Sequence, residues 1–137
     1  MASLARSVAT LRIMGDELES SEVTSVLGTS PTNAMRKGEP LFDKAGSPTA
    51  RTGMWRLEAS PAEPEDVDTQ VLEILAQLTE ELGVWQQLGV KYQVNLFCGW
   101  FMNDRNEVVV LAPRTLRALA DRGIQLELDI YAPKADA

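Results

Sequence analysis

The fold is decided by residues 94–131, VNLFCGWFMNDRNEVVVLAPRTLRALADRGIQLELDIY. Apolar residues occupy every second position from Val94 to Met102, and some of the intervening positions are apolar as well, which predicts a central strand over 93–102. The polar turn residues that follow, and then a run of valines, predict a second strand over 107–111. The two strands together would form a hairpin.

The second half of this stretch predicts a helix followed by a strand. Pro113 suits the first turn of a helix, because its missing N–H would have no intrahelical partner there. Gly123 supplies the left-handed residue that commonly ends a helix, so we expect a helix over 113–122. Strict alternation of apolar and polar residues then predicts a half-buried strand over 124–131.

The chain upstream adds two strands and two helices. The patterns predict a strand over 8–14, a helix over 19–27, a strand over 54–59 and one long helix over 65–88 with an apolar stripe. Between them, residues 29–53 form an irregular strap that is richer in basic residues than the rest of the chain. The alternation assigns an inward set and an outward set of strand residues: Leu11, Ile13, Leu126, Leu128 and Ile130 inward, and Arg12, Glu127, Asp129 and Tyr131 outward.

This order of elements predicts an α+β fold. The expected architecture is a two-layer α/β sandwich, ferredoxin-like or related, with a mostly antiparallel sheet and helices on one face. The sequence leaves the strand order open. A length of 137 residues predicts a single domain over 1–137, with a core over about 8–132 and short flexible termini. Cys98, at the centre of an apolar strand, is expected to be buried and unreactive.

Composition excludes several classes of partner. Thirteen Lys and Arg against twenty Asp and Glu give a net charge of -7, which repels nucleic-acid phosphates and anionic membrane surfaces. The single cysteine cannot form an internal disulfide, and no run of apolar residues has the length of a membrane span. We therefore expect a cytoplasmic protein that contacts neither nucleic acid nor membrane.

The sequence also excludes common catalytic chemistry. There is no histidine, so serine and cysteine triads and histidine-ligated metals are impossible. One cysteine rules out thiolate zinc sites, and neither the Walker A nor the dinucleotide-binding glycine motif occurs. We expect no metal and no cofactor, assign no catalytic residue, and consider an enzyme the less favoured interpretation.

Several separated motifs carry a resemblance to a known family. In chain order they are ELESSEVTSVLGTSPTNAMRKGEP, RTGMWRLE, VNLFCGWF and LAPRTLRALADRGIQLELDIYA, spread over about residues 10–132. They resemble the bacterial family known as domain of unknown function 4279. The resemblance implies membership in an uncharacterised family and transfers no functional residue. Family members tend to have serine before the helix-opening proline, where this chain has Ala112, and a lost serine cap costs about 1 kcal/mol.

Two hypotheses for the function remain. The first is a non-catalytic module that binds another protein, such as a basic one, in the way that small bacterial inhibitor or immunity proteins do. Because helices are expected to cover one face of the sheet, Phe97 and Phe101, or alternatively Trp100, would be left as a partly exposed patch for a partner or a homodimer.

The second hypothesis is a module that binds a small anionic metabolite. The strap over 29–53 would close as a flap on the open face of the sheet. In the alternative, structural interpretation, the basic residues of the strap are solvated and Asp129 pairs with Arg12. The candidate binding residues are Arg12, Arg36, Lys37, Arg51, Trp55, Asp129 and Tyr131.

Overall fold

A computed structural model of the chain describes residues 5–42 and 44–134. The ends of the chain that we predicted to be flexible, and Asp43 of the strap, lie outside the described residues. The helices and strands are β1 (Arg6–Gly15), α1 (Ser20–Leu27), β2 (Asn33–Met35), β3 (Gly53–Glu58), α2 (Val67–Leu75), α3 (Leu82–Lys91), β4 (Gln93–Phe101), α4 (Pro113–Asp121) and β5 (Gln125–Tyr131).

The strands form one sheet in the order β2-β3-β1-β4-β5. β1 pairs antiparallel with β3 on one side and with β4 on the other, β2 pairs antiparallel with β3, and β5 pairs parallel with β4. The predicted α+β class and mostly antiparallel sheet are confirmed. The narrower ferredoxin-like assignment is not confirmed.

The helices pack on one face of the sheet, which we call the helix-side face. Register places Leu11 of β1 beside Leu57 of β3 and Leu96 of β4, and all three side chains are buried. Helices α1, α2, α3 and α4 contact β3, β1, β4 and β5 in turn. The opposite, open face carries Arg12, Arg56 and other polar side chains between its apolar ones. No helix of the described residues is long and apolar enough to cross a membrane.

The single helix predicted over 65–88 is wrong, because the structure contains two helices there. α2 ends at Leu75 and α3 begins at Leu82. The connection folds inward: Leu78 is buried, and Thr79 donates its N–H to the carbonyl of Leu27. The break allows the apolar residues of each helix to face the sheet separately, which one straight helix of that length would not allow.

The strand predicted over 107–111 is also wrong. These residues form no strand, and the carboxylate of Glu107 accepts backbone hydrogen bonds from Asn103 and Asp104. The edge of β4 that a hairpin would have used is taken by β5 instead. Two adjacent parallel strands need a crossover connection, and the segment between β4 and β5, which contains α4, supplies it.

The strap has more regular structure than its sequence indicated. β2 extends the sheet beyond β3, and was not predicted. Beyond it, Pro40 and Thr49 form an isolated antiparallel bridge, and the backbones of Leu41 and Pro48 are hydrogen bonded. Gly53 ends the strap beside β1. The carbonyl oxygen of Gly15 lies so close that a side chain at position 53 would have no room.

α4 is capped by a residue from another helix. Its N-cap position, Ala112, has no side chain that can accept a hydrogen bond. The carboxylate of Asp68 in α2 accepts from the N–H of Ala112 at 3.1 Å and from the hydroxyl of Thr115 at 2.6 Å. The anion also lies at the positive end of the helix dipole. Asp68 therefore anchors the start of α4 through the N–H of the N-cap residue, and not through the first-turn N–H groups that a serine at position 112 would bind.

We predict that Asp68→Ala lowers the free energy of unfolding by about 1–3 kcal/mol, because it leaves the Ala112 N–H and the Thr115 hydroxyl without their acceptor at the start of α4. Urea denaturation measures the change. Asp121→Ala, at the C-terminal end of α4, is the matched control and should have no effect or a small stabilising one, since an acid is unfavourable there. Equal losses in the two variants would contradict the capping role.

Cys98 is fully buried, as predicted, and burial raises the pKa of its thiol to about 12. We predict that a thiol reagent does not label the native protein at neutral pH, since the thiolate is the reactive species and is absent there. Labelling should become complete only in denaturant, which serves as the control. Rapid labelling of the native protein, at a rate unrelated to unfolding, would show that the prediction is wrong.

Candidate functional site

The structure divides the predicted binding residues into separate groups. Arg12, Asp129 and Tyr131 lie on the open face, in β1 and β5. Arg36 and Lys37 follow β2, which forms the opposite edge of the sheet from β5. The strap therefore does not meet the Asp129 side of the open face as the flap hypothesis required. Whether either group binds anything stays a prediction.

Arg12 is held within a network at the centre of the open face. Its Nε donates to Asn95 at 3.0 Å and its Nη2 donates to Glu127 at 3.1 Å, while Asn95 also donates to Glu127. The guanidinium lies over the ring of Phe97, 4.4 Å from its centroid, an attraction worth about 0.5–2 kcal/mol. The expected pairing of Arg12 with Asp129 is thus wrong, because Arg12 pairs with Glu127.

Asp129 and Tyr131 form a second group at the end of β5. The Tyr131 hydroxyl donates to the Asp129 carboxylate at 2.7 Å, and this hydrogen bond, with the nearby negative charge, raises the pKa of Tyr131 above its ordinary value. The Tyr131 ring stacks on Phe101 at 4.7 Å between centroids. Among the described residues, no lysine or arginine forms a salt bridge with Asp129.

The remaining predicted residues lie elsewhere. Arg36 pairs with Glu19 at 2.8 Å and Lys37 with Asp16 at 3.1 Å, and because both pairs are exposed they contribute little to stability. Arg51 is exposed. Trp55 is fully buried on the helix-side face and donates its Nε1–H to Thr24. Trp55 is a core residue, and the prediction that it lines an open-face site is wrong.

The surface that sequence reasoning missed lies at the end of β5. Leu128 and Ile130 are on the helix-side face, as predicted, but are 40% and 53% exposed rather than buried. The nine residues of α4 span about 13 Å and the seven of β5 about 23 Å, so the helix cannot cover the whole strand. The helix predicted over 113–122 is already shorter than the strand predicted over 124–131, so the sequence could have indicated that part of the strand stays uncovered.

Trp100 extends the uncovered apolar area onto β4. It lies directly beside Ile130 in the register of the parallel pair. Its indole is half-buried, and its Nε1–H is buried without a hydrogen-bond partner among the described residues. Phe97 and Phe101 are also partly exposed, on the open face. The association predicted from these three aromatic residues stays a prediction.

The outer edge of β5 is unpaired within residues 5–42 and 44–134. The carbonyl of Tyr131 accepts from Met102, so it points toward β4. Successive residues of a strand direct their backbone groups to opposite edges, and therefore Leu126, Leu128 and Ile130 direct their N–H and C=O groups outward. We call this edge, together with the side chains of Trp100, Leu128 and Ile130, the β5 surface.

Two adjoining cavities lie at another part of the molecule. The first, of about 340 Å³, is a mostly apolar groove between α1 and α3, lined by Val23, Val26 and Leu88 with Glu22 and Lys91 at its rim. The second, of about 560 Å³, is more polar and shares Val90, Lys91 and Tyr92 with the first. It reaches Asp16 at the end of β1 and Thr52 within the strap.

The described residues contain no cluster of three or more acids or cysteines that could hold a metal ion. Comparison with protein families finds a match over residues 5–133 to the model described as Domain of unknown function (DUF4279). No curated protein matches the chain. No solved structure matches it either.

We predict that Tyr131 ionises above pH 10, and that Asp129→Asn returns its midpoint toward 10, because the variant removes the negative charge that opposes the phenolate. The raised pKa means that the hydrogen bond stabilises the folded state below pH 10 and is lost as the pH rises through the folded-state value. Phenolate absorbance measures the titration, and Tyr131→Phe isolates the signal from that of Tyr92. Identical midpoints in wild type and Asp129→Asn would contradict the assignment.

Proposed function

The chain belongs to the family described as Domain of unknown function (DUF4279), and from that starting point we propose that it is a non-catalytic module that binds another protein through its β5 surface. The family assigns no activity, so the proposal is supported by the surface itself. The single observation that carries it is the outer edge of β5, which no strand of the described residues pairs with, beside the exposed side chains of Leu128 and Ile130.

This combination is unusual on a protein without a partner. An exposed strand edge offers hydrogen-bonding groups to any other strand, and proteins commonly block such edges with lysine, proline or a bulge. Between Gln125 and Tyr131 there is no lysine, proline or bulge, and the acids Glu127 and Asp129 oppose only the pairing of another acidic strand. Tryptophan is also enriched where binding energy is concentrated, and Trp100 lies half-buried at this surface. The exposed apolar area and the open edge thus support binding of a polypeptide.

The location and charge of the molecule favour the same proposal. We place the module in the cytoplasm, where its single buried cysteine needs no oxidising environment. A net charge of -7 speeds association with a basic protein through long-range attraction. It disfavours nucleic acid and anionic lipid as partners.

A second candidate function rests on the paired cavities between α1, α3 and the strap. Their volumes fall within the range of small-molecule sites, and Lys37 pairs with Asp16 at the rim of the polar one. A small anionic ligand there would use Lys91, which lines both cavities, and Lys37, which pairs with Asp16 at the rim. Under this alternative, Lys37→Ala removes the thermal shift that a metabolite library produces on the wild type.

Affinity capture from the native lysate tests the proposed function. Leu128→Asp with Ile130→Asp places charge on the β5 surface, and both side chains are exposed enough for the fold to tolerate it. We expect this variant to lose the proteins that the wild type retains. Leu72→Asp is the matched control, since Leu72 is an apolar residue that is 62% exposed, lies on α2 and lines neither cavity.

The capture experiment distinguishes support for the proposal from contradiction of it. Loss of the retained protein in the double variant alone, with circular dichroism unchanged in all variants, supports the β5 surface as the binding site. Equal retention by the wild type and both variants would contradict it, as would the absence of any specifically retained protein.

A further inference from the structure

We infer that the partner binds as an extended segment, added to the sheet as a new strand beside β5, in which lysine or arginine alternates with apolar residues. This inference rests on the proposed protein-binding function and specifies the chemistry of the partner. It follows from three properties of β5: the direction of its free backbone groups, the two kinds of side chain that flank them, and the arrangement of its acids.

The backbone of β5 is ready to accept a strand. Leu126, Leu128 and Ile130 direct both of their backbone groups away from β4, and within the described part of the chain no other strand meets them. Ile124 marks the start of this free edge, because its own N–H is bonded to the carbonyl of Leu119 at the end of α4. An added strand would therefore find a continuous row of donors and acceptors.

The two faces of β5 specify alternate residues of the added strand. On the helix-side face, Leu128 and Ile130 are exposed, so an apolar residue beside them would bury surface that α4 leaves open. On the open face, Glu127 and Asp129 would lie beside the intervening residues of the new strand. Opposite charges in such cross-strand positions attract, which favours lysine or arginine there.

The two acids are not equally satisfied within the chain. Glu127 already pairs with Arg12 at 3.1 Å and accepts from Asn95. Asp129 accepts only the Tyr131 hydroxyl among the interactions of the described residues, and no basic side chain there neutralises it. Asp129 is thus the position where a basic residue of the partner gains most.

A second copy of the chain fits this edge poorly. Antiparallel pairing of β5 with another β5 about a twofold axis, centred on Glu127, Leu128 or Asp129, would in each register place an acid directly opposite an acid or opposite itself. Like charges in such positions are destabilising. In these central registers the edge therefore disfavours a second copy, and a basic strand from a different protein fits it better.

A peptide experiment tests the inference. The probe is a soluble peptide in which lysine alternates with valine, and the matched control peptide carries glutamate in place of every lysine. Amide hydrogen exchange by NMR identifies where each peptide binds. With the lysine peptide at saturation, exchange of the Leu126, Leu128 and Ile130 amides should slow roughly tenfold or more, because these N–H groups become hydrogen bonded.

A charge swap tests the pairing at Asp129. Asp129→Lys should weaken binding of the lysine peptide roughly fivefold to tenfold and strengthen binding of the glutamate peptide. Glu80→Lys is the control, because Glu80 is an exposed acid outside the sheet and its replacement changes the net charge by the same amount. Equal effects of the two variants would assign the binding to overall charge and overturn the pairing.

The outcomes separate this inference from the proposed function. If lysate capture depends on Leu128 and Ile130 but no peptide slows the three outward amides, the strand-addition inference is wrong and the binding surface stands. If those amides are already protected in the free protein by a dimer, the edge belongs to a second copy and the inference is overturned. If capture is unaffected by the Leu128 and Ile130 changes, the proposed function itself fails.

Discussion

The two-sided antiparallel pairing of β1 is the constraint on which the rest of the structure depends. Its ladder with β4 runs from Arg6 opposite Phe101 to Met14 opposite Gln93, and its other edge pairs with β3. A strand with neighbours on both sides has its backbone groups satisfied and its side-chain direction determined at every position. One face of β1 is thereby committed to the core, where Leu11 and Ile13 are inaccessible to solvent.

Helix α2 connects this central strand to the last helix through polar groups. The amide of Gln70, which is buried, donates to the carbonyls of Ser7 and Ser60 and accepts from the Ser7 hydroxyl. Two residues earlier, Asp68 caps α4. Buried polar groups left without partners cost about 1–3 kcal/mol each, so these bonds restrict how α2 can lie on the sheet. The position of α4, and with it the length of β5 left uncovered, follows from that restriction.

Sequence patterns predicted the positions of helices and strands correctly where local features of the sequence alone determined them. Alternation of side chains located β1, β4 and β5 within two residues, and Pro113 and Gly123 located α4. The patterns failed where a distant contact determined the outcome. Residues 67–88 have a helical period throughout, yet Thr79 bonds to Leu27 and the helix divides. The valines at 108–110 favour a strand, but β5 competes successfully for the same edge of β4.

Prediction of the candidate site from the sequence was limited in the same way, by contacts between distant parts of the chain. Alternation correctly assigned Arg12, Asp129 and Tyr131 to one face, because the face of a strand residue follows from its position. Burial depended on the tertiary arrangement instead: Trp55 lies under α1, while Ile130 lies beyond the reach of α4. The partners of Arg36 and Lys37 could not be inferred either, since strand order places the strap at the far edge from β5.

The parallel attachment of β5 has a consequence for local unfolding. Among the described residues β5 contacts one strand, β4, and α4 is tied to the body through Asp68 and a few buried side chains such as Leu119. This C-terminal helix and strand can therefore detach together while both ladders of β1 remain intact, at a smaller free energy than global unfolding. A ligand that binds only the closed form shifts that equilibrium toward closure by its binding free energy. Occupancy of the β5 edge and resistance of the C-terminal segment to proteolysis are thereby thermodynamically linked.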